Sequence, residues 1–484
     1  MSWTPQAADF SAAITDQNPW QSLGKVPEEL AKPVRRHIVN PLAAVLQRSK
    51  PHRFQLILGP RRIGKTTAMY QAIAALLQSG IPASRLWWLR LDHPLLMQRS
   101  LGELIESIRG VSKASQKNPV YVFLDELIYA SDWDRWLKTF YDDHWPVRVL
   151  GTSSSTAALK LRRLESGVGR WEEQYMAPWL FSEYLALRGR KPTVEVGRTL
   201  AETLSGIIDA PPALEGLDAD RRRFLLIGGF PELLTLDPTG DETSELLRSQ
   251  QVLRSDAVER ALYRDLPQAY GISEPLKLER LLYTLAGQIS GVVSGGKLAT
   301  DLGLSQPTVD KYVRYLEDAF LVFTLPNYSA SEETVQRRGR KLYFTDGAVR
   351  NAALQRGIAP LRDPSEMGLL YENVVAAHLH ALSQQTRHRL YHWRMGNTEI
   401  DLVYDDPEGP LAFEIASRRQ HHRKGLIEFQ RSFPRFRNRC FMVSPDPGMV
   451  VPSDASGGIG HIPMDALLIA AGLQSDQALH SRLT

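Results

Sequence analysis

Thiol chemistry is nearly missing from this sequence, whose only cysteine is Cys440. That excludes a disulfide scaffold and suits a reducing compartment. Long uncharged apolar runs are missing too: none approaches the ~20 residues needed to span a bilayer. The start, MSWTPQAADFSAAITD, has no basic stretch followed by an apolar block, so no secretion signal is read. These absences predict a cytoplasmic protein with no membrane partner. There is no internal repeat and no low-complexity tract. Nor is one sign of charge in large excess: 58 Lys and Arg against 54 Asp and Glu leave +4. A mildly basic balance permits a polyanionic partner without requiring one. What is present is a folded chain, 43% apolar and 23% charged, whose 484 residues exceed one ordinary core and predict about three domains.

The most informative stretch is LILGPRRIGKTTAMYQ, residues 56–71. Gly59, Gly64, Lys65 and Thr66 satisfy G-x-x-x-x-G-K-[ST]. The buried-strand run FQLIL precedes them, and TTAMYQAIAALLQ with helical apolar spacing follows. In such a turn, glycines let backbone N–H groups close around a β-phosphate. The loop Gly59, Pro60, Arg61, Arg62, Ile63, Gly64, Lys65, Thr66 and Thr67 is therefore the expected nucleotide site. Lys65 reaches the β- and γ-phosphates, and the Thr66 hydroxyl is a magnesium ligand. Thr67 and the first helical turn add the positive end of a helix dipole.

A phosphate grip needs a partner that orders metal and water. VYVFLDE supplies Asp125, to hold Mg²⁺, and Glu126, to polarise the attacking water; the bland alternative is an acidic pair capping a helix. A further strand, RLWWLRLD (85–92), lies between the two motifs, as in additional-strand ATPases. The strand VRVLGTSSS (147–155) ends in hydroxyls, and Ser153 or Ser154 is a candidate to sense the γ-phosphate or orient water, with a plain turn as the alternative.

GPRRIGKTT, FLDE, W..WLK, GTSSS, Gly169-Arg170, APWLFSEYL and GGFPELL occur in that order. The chain resembles, over roughly residues 30 to 445, a prokaryotic family of AAA+-type ATPases that carry a C-terminal restriction-endonuclease-like domain. The resemblance implies that Arg170 is an arginine finger, acting on its own nucleotide or on a neighbour's in a homo-oligomer. A surface salt bridge is the other reading.

Beyond the ATPase the pattern turns helical. LERLLYTLAGQIS, KLATDLGL and SQPTVDKYVRYLEDAF are three consecutive helices, followed by strands FLVFTLP and KLYF, which together predict a winged helix. The third helix exposes Gln306, Thr308, Lys311 and Arg314, and the expected wing tip ETVQRRGRK carries Arg337, Arg338, Arg340 and Lys341. Cations on helix and wing suit a backbone-tracking reader of double-stranded DNA, although winged helices also serve as packing modules.

Helix GLLYENVVAAHLHAL, strands YHWRM, NTEIDLVYDD and PLAFEIAS, helix GLIEFQRSF and strand CFMVS follow the core order of the PD-(D/E)XK nuclease fold. Asp401 and Glu414 stand where that fold places magnesium ligands, with Glu372 a third acid from the helix. The lysine of the motif is absent, because position 416 is Ala. Losing one preorganised charge of this kind costs roughly 10²–10³ in rate. Arg418, Arg419 and Lys424 are nearby substitutes. Cleavage is therefore expected to be lost or severely weakened.

The expected architecture is α/β: an N-terminal extension (1–30), a P-loop ATPase core with a parallel sheet (31–190), a helical lid (191–255), a winged helix (256–345), an endonuclease-like domain (346–450) and a C-terminal helix with a frayed tail (451–484). Linkers are expected near residues 190, 255 and 345–367. The expected cofactors are ATP and Mg²⁺. Three readings of function stay open: nucleotide state controls a DNA-engaging winged helix beside a cleavage-defective nuclease-like domain; a nucleotide-gated switch acts on a protein partner; or an active ATP-regulated nuclease cuts DNA.

Overall fold

The computed structural model describes residues 6–48, 52–156, 169–191, 193–234, 242–337, 339–416, 423–448, 450–451 and 458–483. The chain divides into two compact units, Met1–Met176 with Leu479–Thr484, and Ala177–Ala478.

The first unit is built on a five-stranded sheet: β1 Phe54–Leu58, β2 Leu86–Arg90, β3 Val120–Asp125, β4 Val147–Ser153 and β5 Trp171–Tyr175. All pairings are parallel, in the order β2-β3-β4-β1-β5. Every residue of β1 and β3 is buried, as parallel strands require, which explains their unbroken apolar runs. Because β4 lies between β1 and β3, the register Leu124↔Gly151 and Leu58↔Ser153 gathers the carboxyl ends of all three strands. Ligands of open α/β sheets bind at that edge.

The N-terminal segment is structural. The edge strand β2 has one unpaired flank, and side chains cover it. Trp88 N–H donates to Asn18 Oδ1 (2.6 Å), Asn18 Nδ2 donates to Trp88 O (2.9 Å), and Arg90 N–H donates to Gln17 Oε1 (2.8 Å). The Trp20 indole and Gln21 amide both donate to Leu86 O, at 2.9 and 2.8 Å. Trp20 is fully buried.

In the second unit, helix Pro275–Gly287 is followed by the short strand β6 (Val292–Val293), helices Gly295–Leu302 and Gln306–Asp318, and strands β7 (Val322–Leu325) and β8 (Arg340–Phe344); the three strands form an antiparallel sheet ordered β6-β8-β7. Ser305 caps the third helix, its Oγ accepting from Thr308 N–H at 3.3 Å. Between β7 and β8 the expected hairpin turn is instead a short helix, Glu332–Arg337, which begins on two acidic residues.

Helix Pro364–Thr386, capped by Asp363, leads into a second five-stranded sheet: β9 Arg389–Met395, β10 Thr398–Asp405, β11 Leu411–Ile415, β12 Cys440–Ser444 and β13 Ile459–Pro463. Its order is β13-β12-β11-β10-β9, antiparallel from β9 to β11 and parallel from β11 to β13. Two boundary expectations are corrected here. The expected linker at 345–367 is ordered and packed, with helix Gly347–Ala353 almost entirely buried. The expected C-terminal helix is present as Met464–Leu483, preceded by β13, and it runs on through the stretch expected to fray. Among the described residues, no helix is long and apolar enough to cross a membrane.

Candidate functional site

The loop after β1 turns tightly before helix Lys65–Gln78. Gly64 caps that helix at φ 91°, and a Cβ at Gly59 would run into Met176 O, so side chains are excluded where the backbone must curl. Arg62 is also left-handed, at φ 65°. Lys65 is 6% exposed, and its Nζ donates to Gly59 O (3.0 Å) and Pro60 O (2.7 Å), folded over the loop it would share with a phosphate. The buried Arg36 donates to Ile63 O at 3.1 Å and braces the loop from the N-terminal side. Pro60 and Ile63 are buried, whereas Arg62 is exposed.

Opposite the loop, β3 ends in Asp125. The Thr66 hydroxyl donates to its Oδ2 (2.8 Å) and the Thr152 hydroxyl to its Oδ1 (2.6 Å). Burial, then the adjacent Glu126 charge, push the Asp125 carboxyl up to about 6, against the opposing effect of both hydroxyls and Lys65. A hydroxyl and a carboxylate side by side form a hard-oxygen pair that fits Mg²⁺. Glu126 is held in the left-handed region at φ 55°, its N–H donating to Thr152 Oγ1 (2.9 Å). Its Oε2 accepts from Ser154 Oγ (3.1 Å) and Ser154 N–H (3.4 Å). A left-handed glutamate is uncommon and marks backbone held for position.

Of the two expected serines, then, Ser154 meets the acid, whereas Ser153 Oγ donates to Ser155 O at 2.7 Å. Thr152 was missed by sequence reasoning; the parallel register Leu124↔Gly151 brings the next residues of the two strands, Asp125 and Thr152, together. Arg170 makes a two-pronged bond to Asp142, Nε to Oδ1 (2.8 Å) and Nη2 to Oδ2 (2.9 Å).

In the second unit, Gln306, Lys311, Arg314 and Arg340 are exposed and Thr308 is half-buried. Arg338 lies outside the described residues, as do Arg418 and Arg419, and Arg337 is placed only as the last residue of its helix. Lys341 corrects its assignment as a surface DNA contact: it is 3% exposed and points inward. Its Nζ lies 2.7 Å from Glu372 Oε1 and 2.8 Å from Asp401 Oδ1. Tyr343, two residues along the same strand face, donates its hydroxyl to Glu372 Oε1 at 2.7 Å. Asp401 Oδ2 accepts from Ile415 N–H at 2.9 Å. The helix, β10 and β11 thus bring Glu372, Asp401 and Glu414 to one locality.

The electrostatics of that locality are strong. Burial, then Asp401, push the Glu372 carboxyl up to about 7, and the same two causes push Glu414 up to about 9. Burial alone would lower Lys341, but Asp401, Tyr343 and Glu372 hold it well above the ordinary lysine value. Ala416 is buried in an apolar cluster that includes Ile400, Leu426, Phe429 and Met442. Among the described residues, no three His, Cys, Asp or Glu side chains are arranged to hold a metal ion.

Residues 51–185 match the AAA-domain family, and residues 218–358 and 367–451 match two families described as domains of unknown function. Two uncharacterized proteins of Methanocaldococcus jannaschii are each 24% identical to this chain. One aligns over 363 residues, 73% of this chain and 72% of the relative, and the other over 429 residues, 86% and 84%. Among solved structures, a Walker-type ATPase of Pyrococcus abyssi is 14% identical and covers 68% of this chain and 98% of its own, with a TM-score of 0.37. A Holliday-junction branch-migration motor of Thermotoga maritima is 18% identical over 62% of this chain and 90% of its own, with a TM-score of 0.26. The phosphate loop, the acidic strand end and the matched family together identify residues 51–185 as an AAA-type ATPase domain.

Proposed function

We propose that the chain binds ATP with Mg²⁺, hydrolyses it, and uses nucleotide state to control a DNA-engaging winged helix beside a nuclease-like domain that does not cut. The observation that carries the ATPase reading is the Thr66–Asp125 hydrogen bond (2.8 Å), beside a lysine anchored in the same loop. In this reading Lys65 exchanges the carbonyls of Gly59 and Pro60 for phosphate oxygens, while Thr66 and Asp125 hold the metal. Glu126, positioned by Ser154 and Thr152, orients the attacking water. A divalent ion held there would supply neutralisation of the phosphate charge. Lys65→Ala is expected to abolish nucleotide binding in isothermal titration, whereas Glu126→Gln binds ATP without turnover. Normal ATP affinity in the lysine variant would sink the assignment.

The DNA reading rests on the exposed Gln306, Lys311 and Arg314 of one helix and Arg340 at the start of β8. Duplex binding followed by fluorescence anisotropy is expected to weaken steeply with salt and to change with ATP. Lys311→Ala/Arg314→Ala should flatten the salt slope by about two units of charge. Salt-insensitive or absent binding would favour a nucleotide-gated switch that acts on a protein partner.

A further inference from the structure

The acidic pocket of the second sheet does not fit a divalent ion, and the misfit has a definite cause. A nuclease-type metal site needs carboxylate oxygens turned toward one vacant point. Here both Asp401 oxygens are engaged, Oδ1 with Lys341 Nζ (2.8 Å) and Oδ2 with Ile415 N–H (2.9 Å). Glu372 Oε1 is shared by Lys341 Nζ (2.7 Å) and the Tyr343 hydroxyl (2.7 Å). The ammonium group stands between the two acids that would be metal ligands. It comes from β8, in the other sheet of the unit, and not from the strand that carries Glu414.

We propose that Lys341 is the resident cation of this pocket: its ammonium takes the place of a divalent ion between Asp401 and Glu372 and ties β8 to β10 and to helix Pro364–Thr386. The packing around it agrees. Asn373, one residue after Glu372, accepts from Phe344 N–H (2.8 Å) and donates to Phe344 O (3.1 Å), so helix and strand are joined at neighbouring positions. Lys341 and its two acids are thus a buried joint of the fold, and the pocket is a latent divalent-cation site that opens only when the lysine is removed. This inference goes beyond the ATPase reading and stands or falls without it.

The test uses the full chain in an Asp125→Asn background, which removes the nucleotide-site carboxylate, with Mn²⁺ as probe. Electron paramagnetic resonance is expected to detect no Mn²⁺ site that depends on Asp401 in the chain that keeps Lys341. Lys341→Met leaves Asp401 and Glu372, beside Glu414, without their cation, so its melting temperature in EDTA should fall by on the order of 10 °C. Millimolar Mn²⁺ should restore it and reveal one new site. Adding Asp401→Asn should abolish both the new site and the restoration, while recovering part of the stability in EDTA. Three results overturn the proposal: Asp401-dependent Mn²⁺ binding with Lys341 present, Lys341→Met melting unchanged in EDTA, or no restoration by Mn²⁺. If Lys341→Met does not fold, the charge-matched Lys341→Met/Asp401→Asn chain and the Lys341-containing chain decide the question. The first must fold better than the single variant, and the second must show no such site.

Discussion

Asp125 sits between two hydroxyls, and the one on β4 has the more interesting role. Thr152 donates to the carboxylate and accepts from the N–H of Glu126, so one side chain sets the charge of one acid and the position of the next. Thr152→Val keeps the volume and removes both bonds. Its hydroxyl lowers the Asp125 pKa, so deleting it should move the acid limb of the kcat/KM profile to higher pH. Turnover should fall by at least about tenfold while ATP affinity changes little, because Lys65 is untouched. An unshifted acid limb would show that Thr152 is only packing. At this scale the sequence was readable wherever the chemistry is local. Lys65 and Thr66 are adjacent, as are Asp125 and Glu126, so spacing alone exposes them. Thr152 and Lys341 were not, since each meets its acid through strands that are distant in sequence, and pairing register is not written in either strand alone.

At the scale of elements, the helix Pro364–Thr386 shows how buried polarity fixes a segment. His378 has a defined tautomer, its Nδ1–H donating to Val374 O (2.8 Å) and its Nε2 accepting from Phe181 N–H (2.9 Å). Burial pushes its pKa from 6.5 down to about 4, so the folded protein holds it neutral. The unfolded chain binds the proton more readily, and the stability this gives is present above pH 6.5 and is lost as pH falls toward 4. His378→Gln should therefore lose about 2 kcal/mol less stability than the parent between pH 7 and pH 5. Chemical denaturation at the two pH values measures it, and equal losses would refute it. Helical periodicity and the Ser305 cap made the three-helix run legible, and the succession of helix, strands, helix and strand around Asp401 made the second sheet legible. The segment 345–367 misled because its proline and charges mimic a linker. Its Arg350 is in fact buried, donating to Ala286 O (3.1 Å).

At the scale of the whole chain, motifs locate chemistry but not what covers an open sheet edge. The covering of β2 by Gln17, Asn18, Trp20 and Gln21 lies outside every motif, yet it answers a hazard common to all open sheets. Removing residues 1–24 would leave β2 offering bare amide and carbonyl groups at Leu86, Trp88 and Arg90. The shortened chain should associate through that rim, with sedimentation velocity showing species that grow with concentration beyond anything in the parent. A monodisperse shortened chain would refute this. Gln17, Asn18, Trp20 and Gln21 therefore act as insulation, and a version trimmed to the recognisable phosphate-loop domain should lose solubility with that cover.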